Sequence, residues 1–262
     1  MANMKLEAAF GATTKLLFGK QLSGMARHDS WLSSCLIGWR ECGRGERSYP
    51  VPSFGAFRFM KDSKSALLSD FGTLAGIKLD MSKPGLHSFA GEFSKKGRFV
   101  TDYSIGDNIN VEHSTMFQNL AEAYKCLGAY DSKLVAYCSW SDMNEYCFGL
   151  YRTFHSKFSM RCYYSTRLSG CFEADSCYNC SGLYFCHNCE NVHDSAFCFN
   201  ANNLRYAIGN EIVGKEAFME FKGRLQHWLV SRLEEKGGLN VSIFGTGFGN
   251  RMKPNKNRLA KK

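Results

Sequence analysis

From Tyr130 to Asn210, every third residue is uncharged and non-aromatic. Read in nines from Thr166, the chain runs TRLSGCFEA, DSCYNCSGL, YFCHNCENV, HDSAFCFNA. The sixth column carries Cys162, Cys171, Cys180, Cys189 and Cys198, and the third and ninth carry Ser, Cys, Leu, Ala and Val in the main. All 13 charged residues and all 17 aromatics of the segment fall on the other two-thirds of positions. Random placement would spare one-third of positions from 13 charges roughly one time in two hundred. Small side chains in stacked columns are what a tight parallel coil needs, because neighbouring coils lie about 4.8 Å apart and leave no room for rings inside. The expected fold is therefore mixed α+β, with a parallel β-solenoid of nine-residue repeats over 130–210. Nonapeptide β-helices spend two units per coil. On that rule Cys162, Cys180 and Cys198 stack on one side, and Cys171 with Cys189 on the other. An inward residue at every third position is also the period of polyproline II, which stays open as a local geometry. An ordinary antiparallel sheet would show period two.

Elements on either side read as caps. Thr115 and Gln118 make a capping box, and Phe117, Leu120, Tyr124 and Leu127 give a helical face ending at Gly128. Gly214 precedes a second amphipathic run, Phe218, Phe221, Leu225, Leu229 and Leu233, closed by Gly237-Gly238. A helix laid across the last coil would cover its open edge. This divides the chain into an N-terminal α+β region (1–129), the solenoid (130–210), a capping helix (211–238) and a glycine-rich hinge with a basic tail (239–262). Met1 to Gly24 reads as an amphipathic helix carrying Leu6, Phe10, Leu16 and Leu17. Lys15 interrupts its apolar stretch and no small-residue cleavage site follows, so it reads better as such a helix than as a signal peptide. Phe54, Phe57 and Phe59 alternate, and Lys95-Lys96-Gly97 suits a hairpin turn between 89–93 and 99–103.

Charge is uneven. Residues 1–129 carry 16 basic and 12 acidic side chains, 130–210 carry 6 and 7, and 211–262 carry 11 and 5, which sums to +9. The last twelve residues hold Arg251, Lys253, Lys256, Arg258, Lys261 and Lys262 with no acid, a polyanion-seeking segment. No run of 18 uncharged apolar residues occurs, so no membrane span is expected. Twelve cysteines without a secretory signal imply a reducing setting, cytoplasmic or inside a particle.

The sharpest chemical pattern is Cys177-x-x-Cys180 followed by Cys186-x-x-Cys189. Paired knuckles of this kind suit structural Zn²⁺, since thiolates two residues apart can face one ion about 2.3 Å away. His187, His193 and Cys198 stand near enough to complete such a set. The repeat explains the same cysteines as small buried column members, and free cysteine packs well as a small apolar residue. Buried thiols, a zinc site and disulfides all remain open at this level. Cys186-His187 is an adjacent nucleophile and base, but neighbours in an extended coil point to different faces, so catalysis there is not expected. Gly245 to Gly249 reads as a hinge rather than a phosphate loop, and Gly43 to Arg47 as an exposed turn. Phe154, Tyr163 and Phe172 share one column of the nine-residue frame and Tyr146 and Tyr164 the next, with Arg152, Arg161 and Arg167 nearby. They offer either a stacking surface for single-stranded nucleic acid or rings packed beneath the N-terminal region.

The stretch 154–210, FHSKFSMRCYYSTRLSGCFEADSCYNCSGLYFCHNCENVHDSAFCFNANNLRYAIGN, resembles cysteine- and asparagine-rich repeat segments of uncharacterised microbial and viral proteins. That resemblance supports the repeat and implies no activity. The functional expectation is a non-enzymatic structural or scaffolding subunit of a larger assembly, of the virion or nucleoprotein-particle kind, that associates with itself or other proteins. The alternative is a zinc-containing module that binds nucleic acid through the tail.

Overall fold

The computed structural model describes residues 4–243, apart from 35, 37–38, 45–46, 54, 81, 83–84, 142–147, 149–156, 158, 164–165 and 168. A mixed α+β chain with a parallel β-solenoid is what it shows, the solenoid running about seven turns through the middle and C-terminal region. The coil length differs from expectation. Ile109 pairs with Ala121 and Ala121 with Lys133, Leu183 with Ser195, and Glu190 with Asn202, so each coil is twelve residues long. Where no strand is assigned, the same step is carried by backbone hydrogen bonds from Arg161 to Phe172, Tyr163 to Ala174 and Arg167 to Tyr178.

The physical reason lies at the corners. Every third residue from Asn110 to Trp140, and again from Phe185 to Tyr206, has a left-handed backbone, with φ of 43–57° for the non-glycine members and Gly128 at 73°. The residue after each corner points into the lumen: Leu120, Ala123, Cys126, Ala129, Ser132, Val135 and Cys138 are buried in one run, and Cys186, Cys189, Val192, Ser195 and Cys198 in another. Each side of the coil is thus three residues, and four corners close it. These left-handed corners also replace the polyproline II alternative. Because nine is three sides of a four-sided coil, the nine-residue spacing is a diagonal. Cys162, Cys171, Cys180, Cys189 and Cys198 each sit one side back on the next coil, descending as a spiral around the lumen rather than in two stacked columns.

The capping elements differ too. Residues 115–128 are not a helix. Their strands, Phe117–Gln118, Ala121–Tyr124 and the start of Leu127–Ala129, belong to the solenoid, because the three-residue period that fills the lumen overrides a helical face of four spaced apolars. Nor does Lys95-Lys96-Gly97 turn a hairpin, for Leu86–Lys96 is helix α4. Phe57 and Phe59 lie in the short 3-10 helix Gly55–Phe59.

Two long helices lie along one flank of the coil. Helix α1 (Met4–Phe18) climbs it: Lys5 bonds Glu122, Phe10 packs on Phe148, Phe18 on Phe172, and the carbonyl of Leu17 accepts from Tyr184. Fifteen residues give about 22 Å of helix, against four to five coils of about 4.8 Å. Leu16 faces out, 59% exposed. Helix α2 (Asp29–Ser33) follows one corner column, with Asp29 holding Lys125 and Tyr137. Helix α5 (Lys215–Lys236) then runs back down. Phe218 packs on Tyr206, Phe221 on Phe197, Gln226 on Tyr184, and beyond the helix Ile243 bonds Glu173. It therefore covers the flank, not the end. The column it shields reads Phe148, Met160, Phe172, Tyr184 and Ala196, all buried. Burying each large member there contributes about 1.5–3 kcal/mol, which makes the flank the chain's second core beside the lumen.

At the other end β1 (Trp39–Arg44) and β2 (Arg47–Pro52) form an antiparallel hairpin over Cys42, Val51 and Met60. Strand β3 (Ser65–Ala66) pairs in parallel with β4 (Phe99–Val100), and helices α3 (Phe71–Ala75) and α4 lie between these two strands in sequence.

Candidate functional site

The lumen holds the chain's densest chemistry. Ten described cysteines, Cys42, Cys126, Cys138, Cys162, Cys171, Cys177, Cys180, Cys186, Cys189 and Cys198, are buried. Nine of these ten, all but Cys42, belong to the lumen cluster. A local rule explains why cysteine and serine alternate there. The left-handed corner turns the chain so that an inward residue faces the carbonyl two positions back. Ser132, Ser159 and Ser195 donate to Tyr130, Lys157 and His193 at 2.7, 2.9 and 2.8 Å. Cys186 and Cys198 donate to Tyr184 and Ala196, both at 3.6 Å, and Cys189 to His187 at 3.0 Å. A second acceptor lies across the diagonal, where Cys126 reaches Val135, Cys186 reaches Ser195 and Cys189 reaches Cys198. A small side chain with one donor satisfies a carbonyl that an alanine would leave to its neighbours.

Cys177, Cys180, Cys186 and Cys189 are brought into two adjacent coils. Cys177 and Cys189 stack in one column, with Cys180 one side onward and Cys186 one side before. Hydrogen bonding to Cys180, and then burial, holds the Cys177 thiol well above its ordinary value. Cys171 is likewise held up by Cys162 and Cys180, and Cys186 by Cys189 and Cys198. Cys180 is pulled the other way, because Cys171 and then Cys177 both bond its sulfur. Among the described residues no group of three or more His, Cys, Asp or Glu is placed to hold a metal ion. Zinc needs its sulfurs converging at about 2.3 Å, whereas these thiols are spread over columns set by the backbone ladder. Cys186 points inward and His187 outward, the latter's side chain 37% exposed.

The outer corners form a pattern that the cysteines obscured. Asn179 bonds Asn191 at 3.2 Å and Asn191 bonds Asn203 at 3.1 Å, each one coil apart. Asn119 bonds Asp131 at 2.8 Å and Asn110 bonds Glu122 at 3.1 Å in the same way. Asparagine tolerates the left-handed region, and stacked amides pair along the axis. The signal was present, since Asn110, Asn119, Asn179, Asn188, Asn191, Asn200 and Asn203 all stand one place before an inward residue.

The ring-rich surface is divided by the twelve-residue coil. Phe172 is buried under Phe18 and Trp31, while Tyr163 is 8% exposed in a different column. Arg161 lies beneath the N-terminal segment, donating to Trp31 and Ser34 with its guanidinium over the Trp31 ring. Arg167 is exposed. Tyr146, Arg152, Phe154, Tyr164, the 245–249 glycines and Arg251, Lys253, Lys256, Arg258, Lys261 and Lys262 lie outside the described residues. No helix among the described residues is long and apolar enough to cross a membrane. No protein-family model matches the chain, and no curated protein or solved structure matches it significantly.

Proposed function

We propose that the protein is a non-enzymatic structural or scaffolding subunit of a larger assembly of the virion or nucleoprotein-particle kind. The observation that supports this most is the end of the solenoid. Asn210 imitates a next coil for one side only, its amide accepting from the Phe199 N–H at 2.9 Å and donating to the Phe199 carbonyl at 2.8 Å. The strand Glu211–Ile212 folds back on Ala207–Ile208 and covers a second side. Asn202 and Arg205 pair with the coil beneath, and no described coil follows them. Around this edge Phe199 is 49% and Ile212 63% exposed. An uncovered end of a parallel stack is a template for pairing. The thiols face inward and are shielded, which suits a rod whose chemistry is inert and whose surface does the work. The basic segment 251–262 adds a polyanion-binding arm.

Light scattering coupled to size exclusion, with negative-stain microscopy, tests the reading. Oligomers or lattices whose population rises with concentration are expected. A strict monomer at high concentration would sink it. If zinc and nucleic acid define the protein instead, elemental analysis returns one metal per chain and nucleic-acid affinity falls steeply with salt.

A further inference from the structure

Helices α3 and α4, with the segments that follow each, line a half-open cavity of about 360 Å³. Its walls are Phe71, Leu74, Ile77, Leu79, Phe93 and Val100, and its mouth carries Lys96 and Arg98. The volume lies at the lower end of the range for small-molecule sites, enough for one small ligand. The lining is uncovered for so apolar a set: Phe71 is 63% exposed, Phe93 61% and Ile77 45%, and neither helix buries a single residue fully.

The two cations at the mouth differ. Lys96 is committed, bonding the Lys78 carbonyl at 2.9 Å and Glu92 at 3.1 Å. Glu92 is in turn held below its ordinary value, chiefly by Lys96. Arg98 uses one nitrogen, Nη1, on the carbonyls of Lys95, Lys96 and Gly97 at the end of α4. No carboxylate among the described residues pairs with it, and its exposed guanidinium lines the pocket, a planar group of the kind that takes a carboxylate in a two-pronged bond.

We infer that this cavity binds a single-chain anionic amphiphile, a free medium-chain carboxylate, with the hydrocarbon between Phe71, Leu74 and Phe93 and the acid on Arg98. Burial of the chain covers the exposed rings, and the charge at the rim selects an anion over a neutral or cationic head. The site is independent of the assembly reading.

Calorimetric titration of the full chain with monomeric decanoate, and with decan-1-ol as the neutral control, decides the matter. Saturable one-to-one binding of decanoate is expected, with decan-1-ol weaker by about tenfold, since a charge-assisted bond is lost. Arg98→Gln, on an exposed side chain that supports no core, should weaken decanoate to the level of the alcohol. Leu74→Arg should abolish binding, with circular dichroism checking the fold. Absence of saturable heat overturns the site, and so does equal binding of acid and alcohol unaffected by Arg98→Gln. Binding to phosphatidylglycerol vesicles without binding of monomeric decanoate would assign the surface to a membrane and overturn it as well.

Discussion

Glu173 is the group whose charge state most affects the helix-covered flank. Its side chain is fully buried, with Oε1 accepting from the Ile243 N–H at 3.1 Å and lying 3.9 Å from Nε of Arg161, while Oε2 has no hydrogen-bond partner. Burial lifts its pKa to about 7, against the pull of Arg161 and of the Ile243 amide, from an ordinary value of 4.5. The folded protein therefore binds more protons than the unfolded chain between pH 4.5 and about 7. Stability attributable to Glu173 is greatest below that window and is lost as pH rises through it. The gap between 4.5 and about 7 corresponds to about 3 kcal/mol. Glu173→Gln mimics the protonated acid and cannot ionise. Urea unfolding, followed by far-ultraviolet circular dichroism and tryptophan fluorescence at half-unit pH steps, should show variant minus wild-type stability growing by about 3 kcal/mol from pH 4.5 to pH 8. His28, whose buried ring is held below its ordinary value, shifts stability in the opposite sense, but it is common to both proteins and drops out of the difference. A difference that stays flat with pH would refute the burial argument.

Three further outcomes follow from the coil. Of the twelve thiols, the ten described ones should resist Ellman's reagent in native buffer and react once unfolded, with zinc well below one per chain; rapid native labelling of more than two thiols, or chelator-induced unfolding, would overturn the account of the lumen. Cys186→Ser should cost no more than about 1 kcal/mol because serine occupies equivalent sites and bonds the same kind of carbonyl, whereas Cys186→Phe should cost about 3 kcal/mol or prevent folding, as thermal melts will read. Asn191→Val should lose about 2 kcal/mol, from a β-branched residue at φ 51° and two broken amide bonds, and Asn191→Gly about half that; equal losses would deny the corner its left-handed strain.

The candidate sites were unequally legible. The four knuckle cysteines were readable as column members, because Ser, Ala and Val share their phase, but the sequence left buried thiols, a zinc site and disulfides open for them. Phe172 and Tyr163 were assigned to one face because they are nine apart, and they fall on different sides. The α3–α4 cavity left no trace in the sequence, as Phe71, Leu74, Phe93 and Val100 have no common period and meet only when β3 pairs with β4.

The sequence alone determined the three-residue period, and with it which side chains enter the lumen. Excluding charge and rings from every third position is a local steric demand that each residue answers by itself. Coil length is not local. Nine, twelve and eighteen are all multiples of three and leave the inward set unchanged, so no count of columns separates them. The bend at each left-handed corner decides between them, and four such bends close the coil at twelve. Only the tertiary structure fixes that closure, and with it which cysteines stack, which asparagines pair and which rings lie under the helices.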